Sequence, residues 1–348
     1  MSQPRPDAPG PRPHRPLGRA ARSAVACLAV LLAAGCAWID GGDDAKPDAD
    51  VPTRTITDIE GTEVEVPVAP KRVVTLSEPS LDGALALGVT PIGTVTGRGQ
   101  TTVPSYLLDR AGDIEILGGV AQPNFEAIGA ADPDLILVDG TSINNNPPVI
   151  KALRRIAPTA YVGYAGGNWR DTFGYVADAL NRKDRAAAVL ADYDAHVEEV
   201  AARIPGEMRD DTFSIVRWQG SSAALILKEL PPGQALTDLG LHRPPNQDRN
   251  GRGHSEPVSL ENLAEIDADW IFFGTLGGSS VDNRQAGGSA DVDAARAALA
   301  EAERTPGFTD LGAYRNDRII PVDGSLWTST GGPILMTGIV DAVAAALD

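Results

Sequence analysis

Asp184–Ile204, DRAAAVLADYDAHVEEVAARI, is the stretch from which the fold is read. Ala186, Leu190, Tyr193, Val197, Val200 and Ile204 recur at spacings of four and three residues, the period that lays an apolar stripe along one face of an α-helix. Lys183, Arg185, Asp192, Asp194, Glu198, Glu199 and Arg203 fall outside the stripe and are expected in water. Pro205-Gly206 ends the pattern, because proline cannot continue a helix and glycine eases the exit. At 1.5 Å per residue this length makes a rod of about 30 Å, enough to cross one domain or to bridge two.

Either side of the rod the same phrase occurs. Glu126–Val138, EAIGAADPDLILV, matches Glu261–Phe273, ENLAEIDADWIFF, with every paired position offset by 135 residues. Each copy reads as a short helix, an Asp-x-Asp turn and an apolar strand of the kind buried on both faces. One copy alone would be a generic helix–strand unit. Two copies flanking one long helix predict two similar lobes.

The remaining elements follow from local pattern. Arg54–Asp58 and Thr62–Val66 alternate at period two around Glu60-Gly61, a hairpin signal. Lys71–Leu76 is a short buried strand, Ser77 starts a helix that Gly88 closes, and Val89–Val95 is the next strand, which makes a βαβ unit. Tyr161–Tyr164 reads as a strand and Trp169–Leu180 as a helix. Thr212–Trp218 opens the second half as a strand, followed by a helix at Gln234–Leu239, a loop from His242 to Glu256 and a Gly/Ser-rich segment from Gly277 to Ala290. A helix at Ala294–Ala302, a strand at Arg318–Val322 and a helix from Ile334 to Leu347 complete the chain.

The 348 residues are 43% hydrophobic with a net charge of −17, which suits one or two globular domains and argues against a nucleic-acid partner. Arg5, Arg12, Arg15, Arg19 and Arg22 precede an apolar run of 11 residues, Ala24–Ala34, too short to span a bilayer and of the size of a signal-peptide core. Removing residues 1–35 leaves 25 basic and 46 acidic residues, a net of −21. Leu31-Leu32-Ala33-Ala34-Gly35-Cys36 resembles a bacterial lipobox, although Ala33 stands where leucine is usual. That resemblance implies acylation of Cys36, the only cysteine then left, so neither an intrachain disulfide nor a cysteine-based metal site is expected. Asp40–Pro52 reads as a charged leash. The organisation expected is a signal peptide 1–35, a tether 36–52, a first lobe 53–167, connecting helices 168–206 that include 184–204, and a second lobe 207–348.

Thr57-Asp58-x-x-Gly61, Pro70-Lys71-Arg72-Val73-Val74, both Glu-x-Ile/Leu phrases, Asn316-Asp317-Arg318-Ile319 and Gly331-Gly332-Pro333 together resemble the iron-chelate class of ABC-importer substrate-binding lipoproteins. The chain is most similar to ferric-siderophore receptors of the ferric-enterobactin type, over about Arg54–Asp348. The resemblance implies an α/β fold of two Rossmann-like lobes joined by one long rigid helix, with ligand in the cleft between them. It implies that Glu126 and Glu261 dock on arginines of two permease subunits. It also implies ligand contacts from Arg98, Trp327, Arg217-Trp218 and Trp169, with Arg243 and Tyr106 as loop candidates. Where the family has a ligand tryptophan after the first strand of the second lobe, this chain has Ile226 or Leu227 at the nearest match. The expected protein is a monomeric, non-catalytic receptor on the outer face of the cytoplasmic membrane, carrying no cofactor of its own. The alternative cargo is haem, with Tyr106 or Tyr164 as axial ligand, or cobalamin.

An enzyme reading finds no Gly-rich phosphate loop before a helix and no G-x-S-x-G turn. His196, His242 and His254 are too few and too scattered for a strong metal site.

Overall fold

The computed structural model describes residues 51–143, 146–251, 255–277 and 288–347. Among them, β1 (Thr53–Thr57) and β2 (Glu63–Pro67) form an antiparallel hairpin. A six-stranded sheet follows in the order β6-β5-β4-β3-β7-β8, built from β3 (Val73–Thr75), β4 (Gly93–Thr96), β5 (Glu115–Gly119), β6 (Gln122–Pro123), β7 (Leu135–Val138) and β8 (Thr159–Tyr161). All its pairings are parallel except β5–β6. A five-stranded sheet in the order β11-β10-β9-β12-β13 contains β9 (Phe213–Gln219), β10 (Ser222–Leu225), β11 (Glu256–Val258), β12 (Trp270–Gly274) and β13 (Ile319–Pro321). Here β9, β12 and β13 are parallel, while β10 is antiparallel to both its neighbours. The second lobe is therefore Rossmann-like in its parallel strands alone: a hairpin stands where the first lobe has a crossover helix.

The duplicated phrase occupies the same place in both sheets. Ile136 lies between Val74 and Thr159, and Ile271, 135 residues later, lies between Ser214 and Ile319. The second aspartate of each turn fixes this register. Asp134 accepts from the backbone N–H groups of Lys71 and Arg72 at 2.8 and 2.9 Å, and Asp269 accepts from Thr212 N–H and its hydroxyl, both at 2.8 Å. Each carboxylate satisfies donors just before the neighbouring strand begins, where no ladder partner exists for them. The helical turns are capped alike, Asn124 accepting from Glu126 N–H at 3.1 Å and Ser259 from Glu261 N–H at 3.3 Å. The first copy is an α-helix, Phe125–Ala130; the second is a 3₁₀ turn, Leu260–Ile266, broken at Asn262.

The long helix spans Lys183–Arg203, and its expected wet residues are all exposed. Its stripe serves two cores. Ala186 packs with Val73, Ala84, Leu135 and Phe173 of the first lobe. Val197, Val200 and Ile204 pack with Phe213, Ile215, Leu236 and Ile339 of the second, and Leu190 touches both clusters. Tyr193 anchors the middle, edge-on to Trp169 at 5.2 Å and donating its hydroxyl to Asp238 at 2.9 Å.

Several boundaries differ from expectation for local reasons. The strand read at Val89–Val95 starts at Gly93, because Pro91 has no N–H for the ladder. The helix read from Gln234 begins at Pro231, with Pro231-Pro232 in its first turn, where missing N–H groups cost nothing. The strand read at Tyr161–Tyr164 is Thr159–Tyr161. The polar run 242–256 ends in β11. Most of the Gly/Ser-rich segment, and residues 1–50 with Cys36, lie outside the described residues.

Candidate functional site

In open α/β sheets, ligands gather beyond the carboxyl ends of the parallel strands. Here those ends carry Ser77-Glu78 after β3, Arg98 after β4, Asp139-Thr141 after β7 and Arg217 at the end of β9. Glu78 opens the helix Glu78–Ala86 and is 2% exposed. Its Oε1 accepts from Arg98 N–H at 2.7 Å, and its Oε2 accepts from the hydroxyls of Ser329 and Thr330 at 3.0 and 3.1 Å. One carboxylate thus ties a first-lobe loop to the segment before the C-terminal helix.

Neither guanidinium has a carboxylate partner among the described residues. Arg98 gives Nη2 to Thr141 O at 3.0 Å, and its Nε is buried without an acceptor. Arg217 gives Nη1 to Thr328 O at 3.2 Å and Nη2 to the hydroxyl of Ser255. Burial pushes Arg217 down to about 10, and the positive charge of Arg98 pushes the same way, while Glu78 opposes it. Arg217 stays protonated at neutral pH, and the two guanidiniums, from different sheets, lie near enough for the charge of Arg98 to act on it.

A cavity of about 800 Å³ opens from Arg217 into the second lobe. Its polar wall is Gln219, Ser222, Ser255, Thr275 and Ser289, with Glu301 as its carboxylate; the rest is small, mostly alanine and glycine. Among the described residues no group of three or more His, Cys, Asp or Glu could hold a metal ion, and no helix is long and apolar enough to cross a membrane.

Residues 73–326, from β3 through β13, match the family described as periplasmic binding protein. The chain belongs to that family. Bacillus subtilis YfiY, named a probable siderophore-binding lipoprotein, is 27% identical over 313 residues, 88% of this chain and 91% of that protein. B. subtilis YfmC, named an Fe(3+)-citrate-binding protein, is 27% identical over 312 residues, 88% and 90% of the two chains. Among solved structures, Staphylococcus aureus SirA complexed with staphyloferrin B superposes with a TM-score of 0.69 at 24% identity, over 85% of this chain and 98% of SirA. B. subtilis FeuA complexed with ferri-bacillibactin gives 0.68 at 22% identity, over 84% and 98%. These likenesses establish the two-lobed fold.

In this binding protein the expected ligand residues separate into two sets. Arg98 and Arg217 lie near enough for their charges to interact. Trp169, Trp218 and Trp327 are core side chains, none more than 3% exposed. Trp218 packs between Phe273 and Phe308, with ring centroids 6.0 and 5.6 Å away, and Trp327 stacks on Phe272 at 4.0 Å. Ile226 and Leu227 are equally buried. Arg243 is a buried strut of the second lobe, donating to Ile226 O at 2.6 Å and Gln247 Oε1 at 2.9 Å. Tyr106 donates to Asp82 at 3.1 Å, so its hydroxyl serves the lobe interface and its phenol is pushed well up by burial.

Asp82 is the residue that sequence reasoning missed beside Glu78. It is buried one turn further along the same helix and accepts from Ile334 and Leu335 N–H, both at 2.9 Å, at the start of the C-terminal helix Pro333–Leu347. Burial pushes the Asp82 carboxyl up, and the partly positive donors at the helix amino end push against it. Ser105 Oγ to Ser325 Oγ, at 3.1 Å, adds a third tie between the lobes. The only signal in sequence is two acids four residues apart in a helix otherwise small and apolar.

Asp139, buried after β7, is pushed up to about 6 by burial, against hydrogen bonds from Thr141 and Ser77. The folded carboxyl therefore holds its proton more tightly than the unfolded one, whose pKa is about 3.9. Stability contributed by that proton is lost as pH rises from about 4 through about 6. Asp139→Asn keeps an acceptor for Thr141 and removes the charge. It should stabilise the protein by about 1–3 kcal/mol at pH 7.5 and not at pH 4, read from urea midpoints. An equal shift at both values would refute the titration.

Proposed function

We propose that this protein is the substrate receptor of an ABC importer, capturing a ferric siderophore outside the membrane and passing it to the permease. The observation that carries this reading is the pair of half-buried arginines, Arg98 and Arg217, one from each lobe, close enough for their charges to interact and without carboxylate partners among the described residues of a strongly acidic chain. Such a site suits an anionic chelate larger than a bare ion, and the chelate brings its own iron ligands. The names of YfiY, YfmC and the FeuA complex support a ferric cargo over haem or cobalamin. The lipobox-like run ending in Cys36 supports a lipid anchor on the outer face of the membrane, and a monomer with no resident cofactor and no catalytic role completes the reading.

Titration of the mature chain tests it. Ferric siderophores should quench tryptophan fluorescence saturably, through the absorbance of the ferric complex near Trp327 and Trp218, and haem and cyanocobalamin should not bind. Saturable binding of haem alone would replace the siderophore with haem as the cargo.

A further inference from the structure

The cavity beside Arg217 has a lining that discriminates among ferric complexes. A tris-catecholate presents three flat aryl arms and a charge of about −3, and its recognition calls for aromatic faces together with several cations. A trihydroxamate is near neutral and gives unpaired guanidiniums nothing to neutralise. A complex built on α-hydroxycarboxylates presents carboxylate oxygens, which match the planar fork of a guanidinium in a bidentate way, and carbonyl and alkoxide oxygens, which accept from hydroxyls and amides.

Aromatic surface is scarce at this site. Among the described residues Tyr164 is the one exposed aromatic side chain, at 42%. It lies beyond β8 beside Asp139 and Thr141, edge-on to Tyr161 at 5.6 Å. The half-buried rings lie elsewhere. Trp270 begins β12 at the opposite end of the sheet, Tyr314 packs on Phe308, Phe125 neighbours Glu126, Tyr106 faces Asp82 and Tyr175 packs against the first-lobe core. Residues 144–145, 252–254 and 278–287 contain no tryptophan, tyrosine or phenylalanine in sequence.

Hydrogen-bonding capacity is what it has. Arg217 commits two of its five N–H groups and Arg98 commits one of its side-chain N–H groups, and Arg98 Nε is buried and unanswered. Ser142 Oγ, in the turn Gly140–Ile143 that also supplies the Thr141 carbonyl to Arg98, is likewise buried without a partner. The cavity wall adds the hydroxyls of Ser222, Ser255, Thr275 and Ser289. Buried donors left unanswered cost stability unless a ligand meets them.

We infer that the cargo is an anionic ferric complex of the α-hydroxycarboxylate class, gripped through its carboxylates by Arg98 and Arg217 and through its remaining oxygens by the hydroxyl-rich wall. The inference rests on the siderophore reading above and narrows it. Calorimetric titration of the mature chain with ferric citrate, ferric rhizoferrin, ferric enterobactin and ferrioxamine B tests it, the first two being α-hydroxycarboxylate complexes. At least one of those two should bind 100-fold or more tightly than the tris-catecholate and the trihydroxamate. Tighter or equal binding of ferric enterobactin or ferrioxamine B would overturn the cargo class while leaving the siderophore function standing. Failure of all four to bind would overturn the function as well.

Discussion

Arg98→Gln combined with Arg217→Gln should weaken binding of an anionic ferric complex by about 10²–10⁴-fold, measured by calorimetry. A hydrogen bond to a charged group is worth about 1.5–3 kcal/mol, and each 1.4 kcal/mol is a factor of ten. The two single variants should not add. Burial, and after it repulsion from Arg98, lowers the proton affinity of Arg217. An anion between them supplies its own contacts and also relieves that repulsion. Either single variant removes one contact and the whole relief, so the two single costs should sum to more than the double cost. The fold should be spared, since neither arginine has, among the described residues, a carboxylate partner that its loss would strand in the interior. Affinity for a neutral ferric complex should change far less than affinity for an anionic one. A double variant that binds the anionic complex within threefold of the parent would remove both arginines from the site.

The elements that were legible in sequence are those specified by short-range chemistry. Asp134 and Asp269 can be matched 135 residues apart because each performs the same local task, accepting N–H groups at the start of the adjacent strand. The long helix is legible because its stripe keeps one period while passing from the first core to the second. The tryptophans were not legible, because a ring's chemistry suits a ligand and a core equally, and tertiary partners decide. Arg217-Trp218 carried a warning. Neighbours in a strand point to opposite faces, so an arginine open to a cavity sends the next residue into the other layer. Glu78 and Asp82 were illegible for a different reason: their partners at Ser329–Leu335 lie about 250 residues away, and no local pattern encodes that distance.

Glu126→Ala with Glu261→Ala should leave the affinity for the ferric cargo unchanged and reduce iron uptake by whole cells to a few per cent or less. Both carboxylates are exposed and, among the described residues, take part in no ion pair. Each stands at the second position of a capped helical turn, in equivalent places on two similar lobes, where a partner that itself comes in two copies would meet both at once. A bland alternative exists, since an acid in a first helical turn is favoured by the helix dipole. That effect is worth about 0.3–1 kcal/mol of stability and would leave transport intact. Loss of two charge-assisted contacts costs about 3–6 kcal/mol of docking, enough to lower the occupancy of a permease 10²–10⁴-fold. Glu126→Gln with Glu261→Gln separates the readings further, because it keeps shape and hydrogen bonding while deleting charge. If charge is what the permease reads, the glutamine pair should fail as fully as the alanine pair, and each single variant should retain partial uptake. Parental uptake by the alanine pair, with the protein present at normal level on the cell, would return both glutamates to the role of helix-end residues.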